Sequence, residues 1–477
     1  MIDYSLFVPE YFVAGLAFLV FAMDMFITTR TKDYLAYVSA VGIVIAMAVT
    51  LLNQQGFSAS LYNGLFIIDS YSLFFKELFL AIAFFIVLVS VEWVRKNLRH
   101  AGEYYGLILF STLAMMLMAS SGELLTAYVS LELLSFSLYV LAAYAKNDAK
   151  SNEAGLKYIL LGAFSSALLL YGISLIYGLT RTTSFEGIAT VLQTTNGLSP
   201  ALLVSLVLLI AGFGFKIAAV PFHMWVPDVY EGSPLPVTAY LSVASKAAGL
   251  ALMIRLFATG FMPVIDDWRM IIAVLAAVTM TVGNLVAIQQ RNIKRLLAYS
   301  SISQVGFLLV GVAALSPMAT SAILLYLTGY AVTNLAAFLC VIAFHNLTGK
   351  DDIPDFAGLA ERAPFIAMSM AVALFSLAGL PIFAGFVTKF YLFAAVAKEG
   401  MLWLVAIAVL NSLISLYYYL LVIKQMYIGA TEDRSRFRVP VLTHGVLGVL
   451  TLGVILVGIY PAPLVDAVDR AAKLLFG

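Results

Sequence analysis

With 477 residues, 62% of them apolar and only 11% charged, the chain lies far from soluble globular composition, in which about a quarter of residues carry charge. A formal net charge of +1 provides no electrostatic footprint for a nucleic acid, and the one cysteine, Cys340, can neither close an internal disulfide nor hold a cluster. What remains is an all-α, polytopic membrane protein with no room for a folded soluble domain, so nucleotide, flavin and iron–sulfur chemistry belongs elsewhere.

In chain order, the apolar runs predict about fourteen transmembrane helices, at 5–28, 34–53, 70–91, 104–120, 123–145, 154–179, 200–226, 235–258, 268–289, 293–315, 319–346, 364–397, 401–428 and 439–460. The opening MIDYSLFVPEYF lacks a basic n-region and a small-residue cleavage site, and reads as the start of the first span. Lysine and arginine crowd the odd-numbered connections, as at Arg95, Lys146, Lys150, Arg291, Arg295 and Lys350. The positive-inside rule makes those connections cytoplasmic and puts both termini on the outer side.

The chain resembles itself. AYVSLELLSFSLYVLAAY at Ala127–Tyr144 aligns without gaps on AYSSISQVGFLLVGVAAL at Ala298–Leu315, pairing Tyr128 with Tyr299, Ser130 with Ser301 and Phe136 with Phe307. FKIAAVPFH around Pro221 likewise matches FSLAGLPIF around Pro381. Spans 4–8 and 9–13 therefore read as two five-helix repeats. An odd number of crossings forces the second to be inverted, the plan of secondary transporters in which broken helices meet near the midplane. Spans 7 and 12 are the broken ones, because a proline inside a helix removes a donor and clashes with the preceding turn. The expected divisions are 1–103 for the first three spans, 104–260 and 261–430 for the two repeats as half-channels, and 431–477 for span 14 and a short tail.

A charge at a helix centre costs about 2.5–3.5 kcal/mol on insertion scales, so those that persist face a bundle interior and have partners. Four stand deep in spans: Glu132, Lys216, Lys246 and Lys389. The plain reading is buried ion pairs that lock helices together. The functional reading is proton transfer, since burial disfavours a charged lysine while a nearby carboxylate restores it, which makes the amine switchable. One acid and three lysines spread over both repeats, beside two proline breaks, favour the second. Lys157 and Lys294 lie near span ends, where snorkelling and positive-inside charge are the plain alternatives, and His223, just after Pro221, is a possible relay or a packing residue. Asp24, Lys76, Glu77 and Arg255 read as interfacial or locally paired.

The strings GFGFKIAAVPFHMWVPDVYEGSPLPVTAYLSVASKAAGLALMIRLF, NLVAIQQRNIKRLLAYSSISQVGFLLVG and LFSLAGLPIFAGFVTKFYLF resemble the antiporter-like membrane subunits of respiratory complex I, over essentially the whole chain. DVYEGSP favours the N branch of that family over its L and M branches, and Lys389 stands where the M branch carries a glutamate. Leu235 departs from the small or hydroxylated residue that relatives commonly carry there. The resemblance implies that Glu132 and Lys216 form the essential pair, that Lys246 is the central connecting lysine and Lys389 that of the second half-channel, and that Lys157, His223 and Lys294 belong to the water path. It further implies a bacterial inner-membrane subunit that moves one proton per redox turnover and holds no redox centre. FMN, iron–sulfur clusters and quinone would lie in partner subunits, a soluble arm and further membrane subunits. A multisubunit Na+/H+ antiporter component, with the same spans and lysines, is the alternative.

Overall fold

The computed structural model describes residues 4–26, 33–98, 101–194, 199–431 and 435–476; the last two positions expected in the first span fall outside them. In lipid every backbone polar group must be satisfied within the protein, and helices are the local solution. They follow as α1 (Val8–Phe26), α2 (Asp33–Gln54), a hairpin of β1 (Ala59–Leu61) and β2 (Phe66–Ile68), α3 (Ser70–Asn97), α4 (Ala101–Ser120), α5 (Leu124–Ala142) and α6 (Ala149–Thr180). Then come the short α7 (Phe185–Thr194), α8 (Pro200–Ile217), α9 (Trp225–Gly232), α10 (Leu235–Tyr240), a π turn at Leu241–Ser245, and α11 (Lys246–Thr259). The rest are α12 (Ile265–Ala287), α13 (Ile293–Ala313), α14 (Pro317–Thr348), α15 (Leu359–Arg362), α16 (Pro364–Ala378), α17 (Ala384–Lys398), α18 (Leu402–Ile428), α19 (Val441–Ile459) and α20 (Ala462–Lys473).

Among the described residues, 13 helical stretches are long and apolar enough to cross a membrane. The broken pair α16 and α17 supplies the remaining crossing, as expected for fourteen. Elements outside the expected spans, too short or too polar to read as crossings, include the β1–β2 hairpin, α7, most of α9, α15 and α20. The last buries Val468, Ala471 and Ala472 and packs on α14 and α3.

Burial sorts the crossings. Every residue in the apolar window of α10–α11 is buried inside the protein, as are 94% of that in α13 and 89% in α14, against 28% in α19 and 33% in α6 and α18. The centre of the bundle is therefore α10–α11, α13 and α14, shut off from lipid by the other helices. One repeat, α4 to α11, meets the other, α12 to α18, where α9 packs on α13 and α10 on α14. The helices α1 to α3 brace the first repeat, with α1 and α3 both against α4.

Both breaks fall at the fourth crossing of a repeat and end the first half-helix in the same way. At α8 the capping residue Ala218 is left-handed (φ 67°), and Ala219 N–H donates to the Gly214 carbonyl at 2.7 Å. At α16 the cap is Gly379 (φ 89°), and Leu380 N–H donates to the Phe375 carbonyl at 3.0 Å. This is the wound-up termination that satisfies the last carbonyls of a helix. The equivalence of Ala218 with Gly379 shifts the gapless sequence match by one residue: three positions separate cap and proline at the first break, from 218 to 221, and two at the second, from 379 to 381.

Candidate functional site

Lys216 sits in the last turn of α8, where the helix dipole favours a cation. It is 3% exposed, and its ammonium donates to Ser135 Oγ at 3.0 Å across to α5. Glu132 lies one turn before Ser135 and accepts a hydrogen bond from the Ser166 hydroxyl of α6. The expected pair is thus not a direct ion pair. Ser135, Ser166, Tyr139 and Lys216 instead line a cavity of ≈ 10 Å³, room for one water. Ser166, which holds Glu132, and Lys216 both border it. Glycines make the approach possible: a Cβ on Gly162 would stand 1.9 Å from the Tyr139 hydroxyl, and one on Gly212 2.6 Å from Leu169 Cβ.

Lys246 opens α11 directly after the π turn, an irregularity that concentrates at functional sites. Its ammonium donates to Ser301 Oγ of α13 at 2.6 Å and faces the Tyr230 ring at 5.6 Å. The hydroxyls of Tyr230 and Ser245 are buried. Gly249 brings α11 hard onto α8: a Cβ there would lie 3.2 Å from Lys216 Cγ. Lys246 therefore stands where the repeats meet, reaching a serine of the second from a helix packed on Lys216 of the first.

Lys389 belongs to α17, the second half-helix, whereas Lys216 belongs to a first half-helix. The cap at the second break satisfies the Phe375 and Ser376 carbonyls with the N–H groups of Gly379 and Leu380. The next two, Leu377 and Ala378, receive the Lys389 ammonium at 2.9 and 3.2 Å, and its third contact is Ser412 Oγ of α18 at 2.9 Å. All three ammonium donors are used. The Phe307 ring adds a cation–π contact at 4.8 Å. A second cavity of ≈ 10 Å³ opens beside Lys389, Gln304, Tyr326 and Tyr330. Each break thus carries one buried lysine and space for one water, with Lys246 between.

The other expected site residues lie elsewhere. Lys157, 40% exposed, bridges Glu153 and Asp228 at 2.7 Å each; it is an ion-paired residue at the bundle end, not an interior amine. Asp228 and Glu231 of α9 also hold Arg295 at 3.0 Å each, and Glu231 holds Lys150 at 3.1 Å. Partial burial pushes both carboxyls up, but hydrogen bonds and charge from these cations outweigh it and hold both below the usual carboxylate range. Lys294 pairs with Asp351 at 2.7 Å, and His345 Nδ1 meets the same carboxylate at 2.8 Å. This trio borders a polar cleft of ≈ 600 Å³ that Glu103, Lys146, Lys150 and Glu231 also line. His223 is buried in the first break, with Nδ1 lacking a protein partner.

Several participants escaped the sequence reading. Ser135, Ser166, Ser301, Gln304 and Ser412 carry the contacts of the ionisable groups, yet nothing distinguishes them from other small or polar residues in apolar helices. Arg255, read as interfacial or locally paired, is 1% exposed and clamps Asp69 at 2.9 and 2.8 Å. Lys76, 0% exposed, pairs with Glu10 at 2.6 Å.

The family described as NADH:quinone oxidoreductase/Mrp antiporter, TM matches residues 121–415. The chain is 44% identical to NADH-quinone oxidoreductase subunit N of Heliobacterium modesticaldum, over 99% of this chain and 100% of that one. It is 43% identical to the subunit N of Moorella thermoacetica over the full length of both. Its fold overlays a chain of respiratory complex I from Thermus thermophilus with a TM-score of 0.82 at 29% identity, covering 97% of this chain and 99% of that one. A chain of the Mrp complex from Dietzia sp. shares the fold, with a TM-score of 0.87 at 21% identity over 100% and 98% of the two chains. With its relatives matched end to end and its two broken helices each holding a lysine, the chain belongs to the NADH:quinone oxidoreductase/Mrp antiporter family of membrane subunits.

Proposed function

We propose that the chain is the proton-carrying membrane subunit of an NADH:quinone oxidoreductase and moves protons along Glu132, Lys216, Lys246 and Lys389. The observation that carries this reading is the repeated unit of one buried lysine beside a one-water cavity at each helix break, with Lys246 linking the halves. Residues 104–260 and 261–430 act as the two half-channels. The ≈ 600 Å³ cleft with Lys294, Asp351 and His345 serves as the aqueous mouth on the cytoplasmic side, and both termini face outward.

This chain supplies ammonium, carboxylate and hydroxyl groups suited to holding and passing a proton. FMN, iron–sulfur clusters and quinone act in partner subunits, which supply the driving energy of about 2.3 kcal/mol per charge against 100 mV. Lys216→Ala or Glu132→Ala in the intact complex should impair pumping and coupled quinone reduction with assembly preserved, and normal pumping in assembled variants would refute the reading. Sodium-dependent proton exchange by the reconstituted chain without an electron donor would favour the antiporter alternative.

A further inference from the structure

The Leu377 carbonyl at the second break has two suitors. Lys389 Nζ donates to it at 2.9 Å, and Gln304 Nε2 of α13 donates to the same oxygen at 3.3 Å. A carbonyl oxygen has two lone pairs, so both bonds form at once, but each donor takes a share of the acceptor's charge. The Gln304 amide is fixed in this orientation by the Tyr326 hydroxyl, which donates to Gln304 Oε1 and leaves only the NH2 group to face the break. Gln304 and Tyr326 are each 2% exposed. One turn earlier on α13, Ser301 holds the Lys246 ammonium.

We infer that Gln304 is a positioning residue of the second broken helix: its amide shares the Leu377 carbonyl with the Lys389 ammonium and thereby sets how readily Lys389 gives up its proton. The inference rests on the proton-carrying reading and deepens it. When Lys389 is protonated, its three N–H donors use Leu377, Ala378 and Ser412. When it is neutral, one donor is gone; the Ala378 carbonyl keeps the Ser412 hydroxyl at 3.0 Å, and the Leu377 carbonyl is the one that needs another donor. Gln304 already donates to it, so the half-helix keeps its termination in both states. The same amide weakens the hold of Leu377 on the ammonium and makes release easier. The titratable groups facing Lys389 are Tyr326 and Tyr330 of α14; no carboxylate lines its cavity among the described residues.

The test uses the intact complex in proteoliposomes, with donor-driven proton pumping followed across pH for Gln304→Glu and Gln304→Leu. A carboxylate at this position adds a negative charge beside the cavity it shares with the ammonium, so Gln304→Glu should hold the proton tighter. The pumping profile should move up by about one pH unit or more, equivalent to about a tenfold change in proton affinity. Gln304→Leu removes the competing donor without adding charge and should move it in the same direction by less. A wild-type profile in assembled Gln304→Glu, or a loss that is uniform across pH in both variants, overturns the inference. Should the glutamate variant fail to assemble, Tyr326→Phe frees the amide from its orientation. An upward shift there supports the inference, and an unmoved profile overturns it. Lys389→Ala run alongside separates the two levels: normal pumping in that variant sinks the proton-carrying reading itself.

Discussion

Removing the Asp69 carboxylate isolates a guanidinium in the protein interior, and the size of that effect follows from the contacts. Arg255 is clamped by both Asp69 oxygens, donates Nε to the Ala119 carbonyl at 2.9 Å, and lies over the Tyr71 ring at 4.8 Å. Asp69 also caps α3, accepting from Ser72 N–H at 2.7 Å. Asp69→Ser keeps a capping oxygen, so the cap term, about 1 kcal/mol, is largely retained and the substitution isolates the ion pair. Breaking a buried pair from one side costs about 3–5 kcal/mol, a large part of the roughly 5–15 kcal/mol by which a domain is stable. Arg255→Met should cost a similar amount, and the double variant should recover most of it, because with both charges gone neither is left buried without its partner. The assay is a double-mutant cycle on thermal unfolding of the detergent-solubilised complex. The pH dependence adds a sign. Burial pushes the Asp69 carboxyl up, but Arg255 outweighs it and holds it below the usual carboxylate range. The stability it confers is therefore full above that range and lost as pH falls through the lowered value, and Asp69→Ser should lack this acid limb. Additive single effects, or single losses under about 1 kcal/mol, would refute the reasoning.

Other expectations follow from the same geometry. Ser412→Ala removes one of the three Lys389 acceptors; a bond to a charged group contributes about 1.5–3 kcal/mol, so the pH above which pumping fails should fall by about one to two units, read by donor-driven proton uptake. Gly162→Ala places a methyl on the Tyr139 hydroxyl and should cost about 1–3 kcal/mol by overpacking, with reduced pumping. Gly178→Ala on the same helix, where a Cβ meets nothing within 4 Å, should be neutral or slightly stabilising in the same thermal assay. The Asp351 carboxyl is pushed up by burial but held below the usual range by His345 and Lys294. Its share of stability is present above that range and lost as pH falls, and Asp351→Asn should flatten that part of a stability-against-pH curve. A flattened curve in wild type would remove the assignment.

The crossing count, the two proline breaks and the buried lysines were legible because lipid permits few solutions: long apolar runs must be helices, and a charge inside one must be shielded. Repeat order was legible for the same reason, since Pro221 and Pro381 mark corresponding crossings. The partners were not. A helical period shows that Lys216 and Lys389 are buried somewhere, but whether the ammonium meets a carboxylate, a serine or the end of a half-helix depends on which turns face each other across the bundle. Glu132 and Lys216 thus bond to Ser166 and Ser135, which border one small cavity, and Lys157 turned out toward Asp228. Arg255, read as interfacial or locally paired, found Asp69 from a distant part of the chain because α3 packs beside the first repeat. Composition and spacing determined that this chain spans a membrane with ionisable groups inside it. Only the tertiary structure decided which acceptor each proton-bearing group has, because that is set by helix packing over a few ångströms, a distance to which the order of residues along one helix is blind.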